Sequence, residues 1–206
     1  MIQVFGDSLS GNCYKIQLLL NHLAIDHNWR PVDILNGDTH TARFLELNAN
    51  GKIPVVVLED GRLLAESNAI LNYFAEGTDY LPNDRYQRAK VLEWQFFEQY
   101  SHEPYIAVAR FIARYQGMPE SRQEEFQSKQ VGGYKALEVM EQQLGVSPYL
   151  AGTTLSIADI SLFAYTHVAH EGGFNLQRFP AIRRWIEAVE SHPKHMPMQI
   201  TEHTTS

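Results

Sequence analysis

The apolar pattern of this chain changes once, near Arg85, and this change is the feature that most constrains its fold. Before that point, strand and helix patterns follow the order strand, helix, strand, helix, strand, strand, helix. Beyond it the apolar spacing is helical and no strand pattern occurs. The sequence therefore predicts an α/β domain over residues 1–76, a turn-rich linker over 77–85 and an all-helical domain over 86–206.

The size and composition of the chain exclude several classes of protein. Its 206 residues suffice to bury a substantial core. A formal net charge of -7 disfavours nucleic acid and anionic membrane as general partners. The single cysteine cannot form an internal disulfide or a cysteine-based metal site, and the nine histidines lack metal-ligand spacing, so we expect no metal.

The chain also lacks the features of a membrane or secreted protein. No apolar run approaches the ~18 to 20 residues that a membrane-spanning helix needs. The start, "MIQVFGDS", lacks the charged-then-apolar layout of a secretory signal. We therefore expect a soluble, cytoplasmic protein, with the last residues, "TEHTTS", as a frayed tail.

The stretch "GDSLSGNCYK" contains the only cysteine and the entry to the first helix. Cys13 keeps the helical spacing of Ile16, Leu20 and Leu23, which places it on the apolar face. Free cysteine often behaves as a small buried hydrophobe, so this spacing favours a structural role for Cys13 over a catalytic one.

Ser10 and Asn12 lie in the turn between the first strand and the body of that helix. Backbone N–H groups at a helix start favour an anion, and a hydroxyl donor there can hold a thiolate that belongs to a bound ligand. The alternative is that Ser10 or Asn12 merely caps the helix.

A second candidate site lies in "KIPVVVLEDGRLLAESNAI". Pro54 opens a strand after Ile53, either as an ordinary edge residue or in a cis bond. Glu66 and Ser67 stand at a helix start, where the N–H groups make an anion site, although Ser67 can equally be an N-cap.

Two basic residues precede that stretch. Lys52 comes directly before the Ile-Pro pair, and His40 lies in the preceding loop. Each alone is typical of a solvated surface residue. Together with a strand edge and a helix N-terminus, they can cradle a small peptide that carries carboxylates at both ends.

The stretch "LSIADISLF" is assigned to folding. Ser156 and Asp159 have the reciprocal spacing of a capping box before an apolar run. This pattern predicts a helix start and no chemistry.

In combination, these stretches resemble the cytosolic glutathione transferase family, in a bacterial-type form. The resemblance covers essentially the whole chain and is carried by "SLSGNCYKIQLLL", "FLELNANGKIPVVVLEDGRLLAESNAI", "YLPNDR" and "LAGTTLSIADISLF". Its most specific part is the family's separation between the Ile-Pro strand and the Glu-Ser helix start.

The resemblance implies a thioredoxin-like N-terminal domain that binds glutathione, followed by a helical C-terminal domain that supplies most of the pocket for a second substrate. It implies a homodimeric detoxification enzyme. Glutathione is then a co-substrate whose thiol is activated for attack on a small hydrophobic electrophile.

The family's glutathione contacts carry over to matching positions here. The backbone of Ile53 would pair with the cysteinyl unit before a cis-Pro54. Glu66 and Ser67 would hold the γ-glutamyl ammonium and carboxylate. The remaining two positions, Lys52 and His40, would meet the glycyl carboxylate.

The catalytic position depends on the class within the family. In serine-type members the hydroxyl lies three residues before a cysteine that begins the helix, which selects Ser10 here. In Nu-like members, which reduce disulfides of glutathione, a Thr or Ser is followed two residues later by Asn, which matches Ser10 and Asn12. Two alternatives to transfer therefore stay open: disulfide or peroxide reduction with glutathione, and a non-catalytic binding module.

Overall fold

The computed structural model describes residues 1–198, which divide into two compact units. The first contains Met1–Ala75 together with the described residues from Pro193 onward. The second is Glu76–His192. The predicted frayed tail, "TEHTTS", lies outside the described residues.

The first unit alternates strands and helices in the predicted order. Its elements are β1 (Ile2–Gly6), α1 (Gly11–Leu23), β2 (His27–Pro31), a short 3-10 helix (Asp38–His40), α2 (Ala42–Leu47), β3 (Val55–Val57), β4 (Leu63–Ala65) and α3 (Ser67–Ala75).

The four strands form one mixed sheet in the order β2-β1-β3-β4. β1 pairs with β2 in parallel and with β3 antiparallel, and β3 and β4 form an antiparallel hairpin. β2 lies at the edge of the sheet, as Pro31 at its end predicts, because proline cannot donate to a strand ladder. The predicted thioredoxin-like fold of this unit is confirmed.

Close packing holds α1 against the sheet. A Cβ atom added to Gly6 would lie 2.7 Å from both Cys13 Sγ and Trp29 Cη2. Real Cβ atoms essentially never approach so closely, so glycine at the end of β1 lets α1 begin directly over the strand. The first turn of α1 therefore packs against the end of β1, where Gly6 has no side chain.

The end of the described chain returns to α1. Tyr14 Oη donates to Met196 O at 2.7 Å, Asn21 Nδ2 donates to Lys194 O at 2.7 Å, and Lys194 Nζ donates to His22 O at 2.7 Å. The sequence does not predict this return, because a short segment without periodicity carries no local signal of its partner.

The second unit is all-helical, as predicted. Its elements are α4 (Arg85–Phe97), a π turn (Glu98–His102), α5 (Glu103–Arg110), a π turn (Phe111–Tyr115), a 3-10 turn (Glu120–Arg122), α6 (Gln123–Val146), α7 (Ile157–Thr166), 3-10 turns (Ala169–Gly172 and Leu176–Arg178) and α8 (Pro180–Glu190). Within residues 1–198, no helix combines the length and apolarity that crossing a bilayer requires.

A proline marks the interruption of the first long helix in this unit. Pro104 stands in the first turn of α5, directly after the π turn that follows α4. Proline has no N–H to donate, so the regular hydrogen-bond pattern of an α-helix cannot continue through this position. The predicted break or kink at Pro104 is therefore confirmed.

The predicted capping box begins α7. Ser156 and Asp159 make both reciprocal contacts of the motif. The Asp159 carboxylate also accepts from Leu150 N at 2.9 Å and from Trp185 Nε1 at 3.0 Å. Asp159 is fully buried and thus joins α7 to α8 and to the segment before α7.

Candidate active site

The strand register brings three connecting segments to one edge of the sheet. Val55, the first residue of β3, pairs with Phe5 of β1 on one side and with Ala65 of β4 on the other. The chain therefore leaves β1, enters β3 and leaves β4 at the same edge. Most of the candidate site residues predicted from the sequence lie in or beside these three segments.

Ser10 is the N-cap of α1. Its Oγ accepts from Cys13 N at 3.4 Å, and its own N–H donates to Asp7 O at 3.1 Å. The side chain is buried, with 9% of the residue exposed. Capping uses one lone pair of the hydroxyl and leaves its proton able to donate, so the cap and a role in thiolate binding are compatible.

Cys13 lies in the core, as its spacing predicts. It is 0% exposed, and burial raises the pKa of its thiol to about 12. Only the thiolate is an effective nucleophile, so a thiol that stays protonated at neutral pH is unsuited to attack. The prediction that Cys13 belongs to the apolar face of α1 is confirmed.

Asn12, Lys15 and Ser67 form a hydrogen-bonded triangle. Lys15 Nζ donates to Asn12 Oδ1 at 2.7 Å and to Ser67 Oγ at 3.3 Å. Ser67 Oγ donates to Asn12 Oδ1 at 3.2 Å. The triangle connects the first turn of α1 to the first residue of α3.

Lys15 is the residue that the sequence interpretation missed. It is 0% exposed, which is rare for lysine. One signal exists in the sequence: Lys15 stands three and four residues before Leu18 and Leu19, which are also buried, and so lies on their face of the helix. Its partner Ser67 is 52 residues away and has no local signal.

Ser67 does not act as the N-cap that was considered for it. It is the first residue of α3, and its hydroxyl bonds with Asn12 and Lys15. The residue before it, Glu66, has a φ of 66° in the left-handed region. Such a backbone costs a non-glycine residue of order 1–3 kcal/mol, so the surrounding structure must maintain it. The exposed Glu66 side chain thus lies directly beside Ser67 at the sheet edge.

The Ile53–Pro54 peptide bond is cis, as the family resemblance implies. Pro54 is buried and leads directly into β3. Among the described residues, the backbone N–H and C=O of Ile53 make no hydrogen bond. Ile53 therefore presents a donor and an acceptor at the edge where the other segments meet.

The segment before Ile53 contains Lys52 and lies close to His40. A Cβ added to Gly51 would be 3.3 Å from His40 Nδ1, so the imidazole rests against the residue before Lys52. Both side chains are exposed, and Asn48 Nδ2 holds the local backbone by donating to Lys52 O at 2.8 Å. Lys52 thus supplies a basic group directly before Ile53, and His40 lies near the same segment.

The arrangement suits a small peptide with an acidic group at each end and a thiol in the middle. It combines backbone groups of Ile53 that make no hydrogen bond among the described residues, the basic side chain of Lys52 beside them, and the hydroxyl and amide groups of Ser67 and Asn12. Within residues 1–198, no cluster of three or more His, Cys, Asp or Glu side chains has a geometry suited to a metal ion.

Two family models match the chain. The model for the glutathione S-transferase N-terminal domain matches residues 9–76, and the model for the glutathione S-transferase C-terminal domain matches residues 94–193. Together they cover most of the chain.

Individual proteins agree with the family models. A glutathione S-transferase structure from Pseudomonas fluorescens [Pf-5] is 60% identical, with a TM-score of 0.94, and the match covers 96% of this chain and 98% of that one. The Disulfide-bond oxidoreductase YfcG of Escherichia coli (strain K12) is 29% identical over 189 residues, or 88% of this chain and 87% of its own.

A third similar protein has a ligand. A glutathione transferase from Burkholderia graminis, solved with two glutathione molecules bound per protein subunit, is 25% identical with a TM-score of 0.81. The match covers 94% of this chain and 85% of that one.

Proposed function

Since the chain belongs to the glutathione S-transferase family, we propose that it binds glutathione and activates its thiol for attack on a small hydrophobic electrophile. Ser10 donates to the sulfur and Asn12 assists. Glutathione is a co-substrate, and no metal takes part.

One observation carries this proposal: the sheet edge joins a polar helix start to an unpaired backbone segment. Ser10 and Asn12 stand at the start of α1, and Asn12 is hydrogen-bonded to Ser67 at the start of α3. Ile53 offers backbone groups without hydrogen bonds among the described residues. A tripeptide can use all of these at once.

The backbone of Ile53 pairs with the cysteinyl unit of glutathione as an added strand would. This pairing places the thiol near the start of α1, where backbone N–H groups and the helix dipole favour negative charge. Glu66 and Ser67 hold the γ-glutamyl ammonium and carboxylate. Lys52 and His40 bind the glycyl carboxylate.

The chemistry requires only modest stabilisation of the thiolate. An ordinary cysteine thiol titrates near 8.5, so a few per cent is thiolate at neutral pH. Lowering that pKa by about two units takes roughly 2.7 kcal/mol. One charge-assisted hydrogen bond from Ser10, at about 1.5 to 3 kcal/mol, supplies most of it. The thiolate sulfur then forms a bond to the electrophilic carbon, whose leaving group departs with its electron pair.

A second activity, glutathione-dependent reduction of disulfides or peroxides, has its own support. The E. coli relative described above is a disulfide-bond oxidoreductase. In this chain Asn12 follows Ser10 by two residues, as in Nu-like members. The thiolate would attack one sulfur of a disulfide and release the other as a thiolate, and a second glutathione would resolve the mixed disulfide.

The two activities separate in a direct comparison. We expect conjugation of chlorodinitrobenzene to exceed reduction of hydroxyethyl disulfide if transfer is the function. The opposite ranking supports the reductase. Absence of both, with retention on immobilised glutathione, indicates a non-catalytic binding module. A folded protein that is not retained contradicts glutathione binding itself.

We also propose a cytoplasmic homodimer with a role in detoxification, as is usual in the family. Exposed apolar side chains recur along α4 and its π turn: Leu92 is 42% exposed, Phe96 61% and Tyr100 78%. Such a row is a candidate subunit interface. Light scattering of the wild type and of Phe96→Glu tests this interface. We expect the molar mass of the variant in solution to be half that of the wild-type dimer. A monomeric wild type contradicts the dimer.

A further inference from the structure

The side chain of Lys15 is buried to 0% exposure in the first turns of α1. Removing an ammonium group from water is unfavourable unless hydrogen bonds compensate it. Two of its contacts lead to the candidate active site, at 2.7 Å to Asn12 Oδ1 and 3.3 Å to Ser67 Oγ. Lys15 is absent from the set of residues assigned above to glutathione.

The chemistry of lysine fixes which end of Asn12 it faces. An ammonium group has three donors and no acceptor, so only the carbonyl oxygen of the Asn12 amide can bond to it. Ser67 Oγ donates to the same oxygen. The amide nitrogen of Asn12 therefore lies on the branch of the side chain that faces away from the ammonium.

This orientation decides whether Asn12 attracts or repels a thiolate. An amide NH2 group donates to an anion, whereas an amide carbonyl turned to the same place would repel it. Rotation of the terminal amide by about 180° exchanges its oxygen and nitrogen. An asparagine whose amide is not fixed by hydrogen bonds can adopt either orientation. Something must hold Asn12 in the donor orientation.

We propose that Lys15 is a positioning residue that holds Asn12 with its amide NH2 group toward the sulfur of glutathione. This inference rests on the proposed function. Lys15 itself does not touch glutathione. It acts through Asn12, and its second bond to Ser67 keeps the start of α3 at a fixed distance from the catalytic turn.

The first test is Lys15→Met, which keeps an unbranched side chain of nearly the same length and removes its donors. We expect the apparent pKa of bound glutathione, followed by thiolate absorbance, to rise by about one unit, which is about a ten-fold change in ionisation. The value of kcat/KM should fall about ten-fold, while the thermal midpoint stays near that of the wild type. The matched control is Lys129→Met on α6, which should leave all three quantities unchanged.

A double-mutant cycle separates positioning from a direct charge effect. If Lys15 acts on the sulfur through Asn12, Lys15→Met leaves the thiol pKa unchanged in an Asn12→Ala background. Additive effects on the thiol pKa would show that the ammonium acts by its own charge and would overturn the inference. A folded Lys15→Met protein with wild-type pKa and kcat/KM would overturn it as well.

Asn12→Asp tests the inference without a Lys15 variant, so it does not depend on whether such a variant folds. The aspartate keeps an acceptor for Lys15 but has no NH2 group. We expect the thiol pKa to rise at least as far as in Asn12→Ala, and a wild-type pKa would overturn the inference. If wild-type protein itself neither binds glutathione nor lowers its thiol pKa, the proposed function fails first, so the two failures are distinguishable.

Discussion

The hydroxyl of Ser67 donates a 3.2 Å hydrogen bond to Oδ1 of Asn12, across 55 residues of sequence. The bond joins the start of α3 to the first turn of α1, and Lys15 Nζ donates to both Asn12 and Ser67. Ser67, proposed to bind the γ-glutamyl end of glutathione, and Asn12, proposed to assist at its thiol, therefore belong to one hydrogen-bonded unit. A change at either end should be felt at the other.

Ser10→Ala should raise the pKa of bound glutathione by up to about two units, because the variant loses the charge-assisted hydrogen bond to the sulfur. Thiolate absorbance against pH measures this directly. The variant also loses an N-cap, at about 0.5 to 2 kcal/mol of unfolding free energy. Ser10→Thr, which keeps both the hydroxyl and the cap, should retain most of the activity.

The control for Ser10 is Ser8→Ala in the same turn, which should keep the wild-type thiol pKa. An unchanged pKa in Ser10→Ala would remove Ser10 as the activator. If only Asn12→Ala then raises the pKa of bound glutathione, the side-chain amide of Asn12 is the group that stabilises the thiolate.

Lys52→Met should weaken binding of glutathione without changing the chemical step, because the ammonium meets a carboxylate far from the sulfur. We expect KM for glutathione to rise about five- to ten-fold at low salt, with kcat nearly unchanged. γ-Glutamylcysteine, which lacks the glycyl carboxylate, tests the assignment. Wild type should prefer glutathione over it, and Lys52→Met should lose that preference. A preference kept by the variant would place the glycyl carboxylate elsewhere.

Cys13→Ala should retain most of the activity, because the reactive sulfur belongs to glutathione. The variant leaves a small cavity beneath α1, and we expect a loss of about 1 kcal/mol of unfolding free energy in urea. Cys13→Ser, which buries a hydroxyl in the same place, should be less stable than Cys13→Ala. A folded but inactive Cys13→Ala protein would show that Cys13 takes part in catalysis.

The raised pKa of Cys13 predicts a loss of stability at alkaline pH. Burial raises the thiol pKa in the folded protein from 9.0 to about 12. The folded state therefore holds the proton more tightly than the unfolded state does, and stability falls as pH rises from about 9 to 12. The slope of unfolding free energy against pH should be steeper in wild type than in Cys13→Ala across this window. Equal slopes would mean that the thiol does not ionise on unfolding.

Asp159→Ala should destabilise the helical unit by more than the loss of one helix cap. The carboxylate accepts from Ser156 N at 3.0 Å, Leu150 N at 2.9 Å and Trp185 Nε1 at 3.0 Å, so its removal leaves several buried donors without their acceptor. We expect a loss of about 3 to 5 kcal/mol in chemical unfolding.

Trp185→Phe is the matched comparison for Asp159→Ala. It removes a single donor to the carboxylate and keeps most of the aromatic packing, so it should cost about 1 to 2 kcal/mol. Similar losses in the two variants would indicate that the carboxylate has no role beyond its bond to Trp185.

Several features were predictable because their determinants are local. Cys13 was placed in the core from its helical spacing, and the capping box was recognised from the three-residue interval between Ser156 and Asp159. The likeness to a known family added the cis bond before Pro54, which proline alone did not establish.

Other features were not predictable from neighbouring residues. Ser67 was considered as an N-cap, a common role of serine, but it begins α3 and bonds instead to residues of α1. Lys15 was not singled out, since a lysine in a helix is usually solvated.

The sequence alone determined the order of strands and helices, the change to an all-helical second half and the family, because these depend on periodicity and on motifs within a few residues. The tertiary structure decided how the candidate site is assembled. Pairing of Val55 with Phe5 brings the β3–β4 hairpin to the end of β1, and packing of α1 on α3 buries Lys15 between Asn12 and Ser67. Contacts across more than fifty residues depend on strand register and helix packing, and neither leaves a signal in neighbouring residues.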